Sequence, residues 1–291
     1  MERRERRKTV AEIKAMKQAG EKIVMLTAYD YPSARIAEAG GVDMILVGDS
    51  LGMVVLGYDS TVPVTIDDML HHSKAVARGS EKALIVTDLP FMTYQTSIED
   101  AMRNAGRLLQ EGGAQAVKLE GGVHMAETVR RLTQIGIPVV GHIGLTPQSV
   151  NQLSGYKLQG RTPEAAERLV EDAVALQHAG AFAIVLETIP AQLADVISQR
   201  VRVPTIGIGA GAGCDGQVQV WHDLLTYSAD RVDTHMPRHV GRYANAGELM
   251  QDAIARYAAE VRSGAFPTEK QSFQMPKKAL EDLAETRSQA R

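Results

Sequence analysis

The chain alternates short apolar runs with longer segments in which polar positions are frequent. Met44–Val47 is typical, because every residue in it is apolar and the run ends abruptly in Gly48-Asp49-Ser50. Continuous apolar runs of this length are expected for strands of a parallel sheet, since helices cover both of its faces. The runs predict eight strands, at Ile23–Thr27, Met44–Val47, Ala83–Thr87, Ala116–Leu119, Pro138–Gly141, Ala183–Leu186, Pro204–Ile208 and Val218–Trp221.

Helical periodicity and capping residues fill most of the intervals between these strands. Thr65 is a suitable cap for a helix to Arg78, and Pro163 stands where a helix to Ala179 would begin. The other predicted helices are Thr9–Gly20, Tyr31–Ala39, Thr96–Gln110, His124–Gln134, Pro190–Arg200 and Ala246–Arg262. Strands and helices in alternation form right-handed crossovers, so eight strands favour an α/β fold, a single (β/α)8 TIM barrel, over a doubly wound sheet.

The same pattern divides the chain into three parts. Residues 1–8 form a charged N-terminal extension that we expect to be solvated and frayed. Residues 9–266 form the barrel, and residues 267–291 form a polar C-terminal tail. Within the barrel, residues 143–162 are rich in Gly, Ser, Asn and Gln, and long segments of this kind are usually functional. We expect this segment to act as a lid over an active site.

Composition excludes several classes of protein. A hydrophobic content of 44% with 23% charged residues is typical of a globular domain. The formal net charge of -3 argues against a general nucleic-acid binder, and no apolar run reaches the roughly 18 residues of a membrane helix. The single cysteine, Cys214, excludes an internal disulfide and fits a reducing compartment. We therefore expect a cytoplasmic protein that binds neither nucleic acid nor a membrane.

Ionisable side chains stand where several consecutive predicted strands end. One such residue would be an ordinary charge at the edge of a loop, but six together indicate a site. In a (β/α)8 barrel the active site lies at the C-terminal ends of the strands, where these residues fall. Side chains alternate along a strand, so residues two apart in the fourth strand point the same way. The six residues are Asp49, Asp88, Lys118, Glu120, His142 and Glu187.

The carboxylates among them predict a metal site. Asp49, Asp88 and Glu120 offer the oxygen ligands that a hard cation such as Mg2+ prefers. A zinc site of paired cysteines is excluded by the cysteine count, and the chain has no HExxH motif. The glycines between residues 207 and 213 nearly match a dinucleotide-binding fingerprint. They follow the seventh strand without a further βαβ unit, so we interpret them as a tight turn at the barrel rim.

Eight stretches, in order over roughly residues 9 to 273, carry a more specific signal. They are LTAYD (26–30), VGDSLGM (47–53), DSTVPVT (59–65), DLPFM (88–92), VKLEGG (117–122), GHIGLTPQ (141–148), GYKLQG (155–160) and IGIGAG (206–211). Together they resemble the ketopantoate hydroxymethyltransferase family, within the phosphoenolpyruvate mutase and isocitrate lyase barrel superfamily. The resemblance covers nearly the whole chain, apart from the charged N-terminus and the tail after about Met275.

The resemblance implies a reaction, its cofactors and an assembly. A hydroxymethyl group would pass from 5,10-methylenetetrahydrofolate to 3-methyl-2-oxobutanoate, through an enolate stabilised by Mg2+, giving 2-dehydropantoate for pantothenate biosynthesis. The family also implies a homo-oligomer, a decamer in the bacterial enzyme. By position it implies metal ligands Asp49, Asp88 and Glu120, substrate-binding residues Asp49, Ser50, Asp88 and Lys118, and catalytic residues Lys118, His142 and Glu187, the last as proton acceptor.

Two alternatives stay open at this level. One is another Mg2+-dependent lyase or mutase of the superfamily that acts on a 2-oxo acid. Isocitrate-lyase-type members use a cysteine on a mobile loop, whereas residues 143–162 contain none and Cys214 lies elsewhere. The other is a non-catalytic barrel that serves as a binding module, which the six ionisable residues disfavour.

Overall fold

The protein is a closed barrel of eight parallel strands in a computed structural model that describes residues 6–227 and 237–281. The strands are β1 Ile23–Thr27, β2 Met44–Val47, β3 Leu84–Asp88, β4 Ala116–Glu120, β5 Val139–Gly144, β6 Ala183–Glu187, β7 Thr205–Ile208 and β8 Gly216–Gln219. They pair in chain order, and β8 closes the ring against β1. The predicted (β/α)8 TIM barrel is therefore confirmed.

Helices follow most of the strands. Those of the described residues are α1 Val10–Ala19, α2 Tyr31–Ala39, α3 Leu51–Val54, α4 Ile66–Gly79, α5 Ile98–Gln110, α6 Ala126–Gln134, α7 Val150–Leu153, α8 Pro163–Ala179, α9 Ala191–Arg200, α10 Trp221–Leu224 and α11 Ala246–Ser263. Thr65 caps α4 as predicted, since its side chain accepts from the Asp68 N–H. The cap of α5 is Ser97 rather than the predicted Thr96, whose hydroxyl instead donates to the Asp100 carboxylate at 2.9 Å.

The two faces of the sheet bury two separate apolar clusters, and this separation shows where each side chain points. In β4, Ala116 belongs to the cluster inside the barrel, whereas Val117 and Leu119 pack against the outer helices. Lys118 and Glu120 therefore continue the inward series that Ala116 begins. The prediction that these two side chains face the same way is confirmed, and the barrel interior passes from apolar to ionisable along the strand.

One end of the barrel is closed by α1. Thr9 and Glu12 form a reciprocal capping box that starts this helix, and Gly20, in the left-handed region with φ 73°, ends it. Ile13 on α1 is fully buried and belongs to the interior cluster together with Ile23 and Met25 at the beginning of the barrel. The ionisable end of the barrel is the opposite one.

The last strand differs from its prediction. β8 begins at Gly216, two residues before the predicted start, and Trp221 begins α10 instead of ending the strand. Glycine is required at position 216, because a Cβ there would lie 2.5 Å from the carbonyl oxygen of Ile23. No helix separates Ile208 from Gly216. The interpretation of the intervening glycines as a barrel turn is confirmed.

The N-terminal segment is not frayed where the structure describes it, which corrects the prediction for residues 6–8. The Arg7 guanidinium donates to the carbonyl oxygens of Ser80 and Ala83, the latter at 2.6 Å. Lys8 Nζ lies 2.6 Å from Asp43 Oδ1. The charges of this segment thus bind polar groups at the closed end of the barrel. Residues 1–5 lie outside the described part.

The chain forms two compact units, Met1–Ala244 and Asn245–Arg291. The division falls before α11, so this helix belongs to the second unit, although the sequence assigns residues up to 266 to the barrel domain. Ser263 is the last residue of α11, and Gly264 follows it with φ 75°. Neither α11 nor any other helix of the described residues is long and apolar enough to cross a membrane.

Glu38 is expected to stabilise the closed end of the barrel in a pH-dependent manner. Burial opposes its charge, but hydrogen bonds from the Ser80 hydroxyl and from the N–H groups of residues 81–83 outweigh burial and lower its pKa to about 2. A carboxyl group with a lowered folded pKa stabilises the fold above its unfolded pKa of about 4.3, and this contribution disappears as pH falls through the folded value. We expect Glu38→Gln to lower the free energy of unfolding by about 1–3 kcal/mol at pH 7.

Urea unfolding of both proteins at pH 7 and pH 3 checks this prediction. The difference between wild type and variant should be smaller at pH 3, where part of the wild-type advantage is already lost. Glu81→Gln is a matched control, because Glu81 is exposed, and its effect should stay below about 0.5 kcal/mol. A difference that does not change with pH would show that the Glu38 charge is not the stabilising feature.

Candidate active site

A cavity of about 670 Å³ opens at the C-terminal ends of the strands. All seven residues that the sequence assigns to a site line it: Asp49, Ser50, Asp88, Lys118, Glu120, His142 and Glu187. Most of these side chains are buried, and Ser50 and Glu187 are partly accessible. The barrel therefore brings together every predicted site residue, although their assigned roles stay predictions.

Lys118 is the positive centre of this cluster. Its Nζ lies 3.2 Å from Asp88 Oδ1 and 3.2 Å from His142 Nδ1, with only 6% of the side chain exposed. Burial alone would lower the pKa of Lys118, but the charges of Asp88, Asp49 and Glu120 outweigh it and raise the pKa. Lys118 is therefore an ammonium ion at neutral pH.

His142 lies between two carboxylates and this ammonium group. Its Nε2 is 3.1 Å from Glu187 Oε2, in a contact that is not aligned as a hydrogen bond, and its Nδ1 is 3.5 Å from Glu120 Oε1. Burial and Lys118 lower the pKa of His142, whereas Glu120 and Glu187 raise it, and the net result is a pKa of about 9.

The pKa and the geometry of His142 point in opposite directions. A pKa of about 9 favours a doubly protonated ring at neutral pH. An ammonium group only donates, however, so its 3.2 Å contact with Nδ1 requires a lone pair there. The contact reports one protonation state directly, and we therefore assign the neutral tautomer with its proton on Nε2, facing Glu187.

Asp49 and Asp88 adjoin at the ends of β2 and β3. The Asp49 N–H donates to Asp88 Oδ2 at 3.0 Å, and Asp88 Oδ1 is buried without an aligned hydrogen-bond donor. Burial, followed by the charges of Asp88 and Glu120, raises the pKa of Asp49 well above its usual range. A divalent cation between these two carboxylates would relieve that repulsion and would bind Asp88 Oδ1, whose described partner is the Lys118 ammonium group in an ion pair.

The oxygen-bearing side chains of the site fit a Mg2+ ion that is bound by two carboxylates rather than three. Among the residues that the structure describes, no group of three or more His, Cys, Asp and Glu side chains is arranged to hold a metal ion. Glu120 has other partners, because its Oε2 accepts from the Gln148 N–H at 3.1 Å. Mg2+ is often bound by one or two carboxylates, with waters and substrate oxygens completing its shell, so Asp49 and Asp88 suffice. Glu120 as a third ligand stays a prediction.

Several residues of the site were not predicted as functional from the sequence. The Tyr29 hydroxyl lies 2.9 Å from Ser50 Oγ and holds that side chain at the cavity wall. Gln148 and Tyr94 are buried and hydrogen-bonded to each other at 2.7 Å. Gln148 stands in the segment expected to be a lid, but that segment folds in part into a 3-10 turn, Pro147–Ser149, and α7. Its position in a loop after a site strand, and in the GHIGLTPQ stretch that carries the family resemblance, could have indicated Gln148.

The fold and the site define the class of protein first. The barrel matches solved structures such as phosphonopyruvate hydrolase with oxalate and Mg++ (TM-score 0.58, 14% identity, covering 97% of this chain and 96% of that one). It also matches 2,3-dimethylmalate lyase, described as a member of the PEP mutase/isocitrate lyase superfamily (TM-score 0.53, 18% identity, 97% and 98% covered). These matches show the (β/α)8 barrel fold.

Sequence comparison then gives the family. The model of the ketopantoate hydroxymethyltransferase family matches residues 7–269, and the chain belongs to this family of transferases. It is 61% identical over 277 residues to the 3-methyl-2-oxobutanoate hydroxymethyltransferase of Dehalococcoides mccartyi, covering 95% of this chain and 98% of that protein. The enzyme of that name from Geobacter sulfurreducens is 56% identical over 268 residues, covering 92% and 99%. The family resemblance and the predicted transferase class are confirmed.

Proposed function

We propose that the protein transfers a hydroxymethyl group from 5,10-methylenetetrahydrofolate to 3-methyl-2-oxobutanoate and produces 2-dehydropantoate. The observation that carries this proposal is the juxtaposition of Glu187, Lys118 and the Asp49–Asp88 pair in one buried cluster. Such a cluster supplies a base, a positive charge and a cation site around one small anion. The family name supports the choice of substrate.

The first step that the chain's own residues would perform is removal of a proton. Glu187 takes the proton from C3 of the oxo acid, the electron pair of the C–H bond forms the C2–C3 double bond, and the π electrons of the C=O bond move to the keto oxygen to give an enolate. Lys118 stabilises the negative charge that develops on this oxygen. Mg2+ held by Asp49 and Asp88 would supply Lewis-acid chemistry at the oxygens of the substrate. Ser50, fixed by Tyr29, is a candidate hydrogen-bond donor to the substrate.

The second step joins the enolate carbon to the one-carbon unit. C3 forms a bond to the methylene carbon of the folate, the two carbon–nitrogen bonds to the folate break, and water supplies the hydroxyl group. The two folate nitrogens take up one proton from that water and one proton equivalent to the one that Glu187 removed from C3. The cavity is much larger than a five-carbon acid needs, and it extends from the ionisable cluster to apolar side chains, among them Met53, Val54, Leu145 and Tyr156. This apolar part is where we place the flat ring system of the folate.

The superfamily alternative, a lyase or mutase that uses a cysteine, receives no support from the geometry. Cys214 is buried and does not line the cavity. Cys214 lies next to Gly207, since a Cβ added to Gly207 would be 3.0 Å from the Sγ atom of Cys214. A non-catalytic barrel is likewise disfavoured, because burying three carboxylates has a free-energy cost that a purely structural module has no need to incur.

Proton exchange at C3 of 3-methyl-2-oxobutanoate in D2O, without folate, tests the proposed first step. We expect exchange with Mg2+ and a loss of at least about 100-fold in EDTA, because the metal stabilises the enolate. Addition of 5,10-methylenetetrahydrofolate should then give 2-dehydropantoate, detectable by mass spectrometry. A folded protein that binds Mg2+ but supports no exchange would contradict the assignment of base and substrate.

We also propose that the protein is a cytoplasmic homo-oligomer, as the family resemblance implies. In the second unit, Met250, Ile254, Tyr257 and Val261 recur at helical spacing along α11, and all four are exposed. An exposed apolar stripe of this kind is suited to pairing with another copy. Native mass spectrometry should give a mass that is a multiple of 31.5 kDa, ten-fold for the decamer. A monomer at micromolar concentration would contradict this proposal.

A further inference from the structure

Gln148 is a buried polar residue with an unusually complete set of hydrogen bonds. It follows β5 within the 3-10 turn Pro147–Ser149, and only 4% of it is exposed. Its side-chain nitrogen donates to Asp49 Oδ2 at 2.8 Å and to the Leu89 carbonyl oxygen at 3.0 Å. These bonds use both N–H groups of the amide, and they connect the segment after β5 to the ends of β2 and β3.

The amide oxygen of Gln148 is fixed just as completely. It accepts from the Tyr94 hydroxyl at 2.7 Å and from Gln95 Nε2 at 3.3 Å. The Tyr94 hydroxyl itself accepts from the Glu120 N–H at 3.1 Å. The ionised Asp49 carboxylate and the Leu89 carbonyl oxygen only accept hydrogen bonds, so the end of the amide that faces them is its nitrogen and the end that faces Tyr94 is its oxygen.

The backbone of Gln148 binds a second carboxylate of the site. Its N–H donates to Glu120 Oε2 at 3.1 Å, while the side chain holds Asp49 Oδ2. One residue therefore holds two of the three carboxylates that the sequence assigns to a metal site, and it does so with neutral dipoles. Among the described contacts of Asp49, Oδ2 is the oxygen that is occupied and Oδ1 accepts no hydrogen bond.

We propose that Gln148 is a positioning residue, which orients Asp49 so that one carboxylate oxygen is held by the protein and the other is presented to the cation. This inference rests on the proposed function, because it assumes that Asp49 and Asp88 bind Mg2+. Tyr94 belongs to the same device, since it fixes the orientation of the amide. Without this support Asp49 would lose the one side-chain donor that the described residues give it and would turn about its χ angles. Groups that orient metal ligands typically contribute 10- to 100-fold to metal affinity.

Mg2+ binding measured by isothermal titration calorimetry tests this inference without reference to catalysis. Gln148→Met keeps the length and volume of the side chain but has no amide, so we expect Mg2+ affinity to fall at least about 10-fold. Gln152→Met on the exposed part of the same segment is the matched control and should bind Mg2+ as the wild type does. Gln148→Met with wild-type Mg2+ affinity, or a wild type that binds no Mg2+, would overturn the inference.

A coupling measurement separates positioning from a general structural role. If Tyr94 acts through the Gln148 amide, Tyr94→Phe should weaken Mg2+ binding by itself but add little to Gln148→Met. Additive losses in the double variant would overturn the role of Tyr94 as part of this device. Thermal unfolding in EDTA accompanies each titration to show that the metal-free variants are folded. The difference in Mg2+ affinity between Gln148→Met and the wild type should appear even if the wild type shows no proton exchange, so failure of the proposed function and failure of this inference are distinguishable.

Discussion

Glu187→Gln should abolish proton exchange at C3 of the oxo acid, with a fall of about 10³-fold or more. Glu187 ends β6 and points into the cavity, and it is the least buried carboxylate among the proposed catalytic and metal-binding residues, with 17% of its side chain exposed. General bases contribute about 10²–10⁴-fold, and glutamine has the same shape but cannot take up the proton. Exchange and hydroxymethyl transfer should fall together, because both need the same proton removed.

Two comparisons make the Glu187 result specific. Mg2+ affinity should be nearly unchanged in Glu187→Gln, since the proposed ligands are Asp49 and Asp88. Glu167→Gln on the exposed face of α8 is a matched substitution and should leave both rates unaltered. Normal exchange by Glu187→Gln would show that another group is the base. The hydrogen–deuterium exchange rate, followed by proton NMR at saturating substrate, is the measurement.

Much of the site could be predicted from the sequence. The alternation of side chains along a strand gives the direction in which each side chain points, and the end of the strand gives its position in the barrel. Asp88, Lys118 and Glu187 are all placed correctly by that reasoning at the open end of the barrel. The predicted ends of β3, β4, β5 and β6 are nevertheless too early, because the prediction stops these four strands before the ionisable residue at which their apolar run ends. In the structure the strand pairing continues through such residues, as in the pairs Glu120↔His142 and Gly144↔Glu187.

Other features could not be predicted, for physical reasons. β8 consists of Gly216, Gln217, Val218 and Gln219, so it has no apolar run, and barrel closure rather than side-chain pattern determines its place. The role of Gln148 depends on a contact with Asp49, 99 residues away in sequence. A lone glutamine in a polar segment has no pattern of its own. Its importance arises only when three strand ends meet around it.

Lys118→Met should have the largest effect on stability, because Lys118 is the buried positive charge that faces the carboxylates. Removing one partner of a buried ion pair typically costs about 3–5 kcal/mol, since the remaining charge is left uncompensated. Here Asp88 loses a partner at 3.2 Å, and the charge that opposes the raised pKa of Asp49 disappears as well. Enolate formation should also slow by about 10²–10³-fold, because the developing oxyanion loses its positive neighbour.

The pH dependence of this destabilisation identifies its cause. In Lys118→Met the pKa of Asp49, already raised in the wild type, should lie further above its unfolded value near 4, so the folded state binds a proton that the unfolded state has released. Stability of the variant should therefore fall as pH rises from about 5 to 8, more steeply than in the wild type. Mg2+ should restore part of it, because a cation that binds only the folded state stabilises that state.

A double variant separates loss of charge balance from loss of packing. Lys118→Met with Asp88→Asn removes one charge of each sign, so it should recover much of the free energy of unfolding at pH 8 while enolate formation stays slow. Lys74→Met is the surface control, since Lys74 Nζ lies 3.8 Å from Glu111 on exposed side chains, and such pairs contribute at most about 1 kcal/mol. Urea unfolding at pH 5 and pH 8 measures all three proteins. If the double variant were as unstable as Lys118→Met at both pH values, the lysine would matter for its packing, and the buried carboxylates would have to be balanced by another charge.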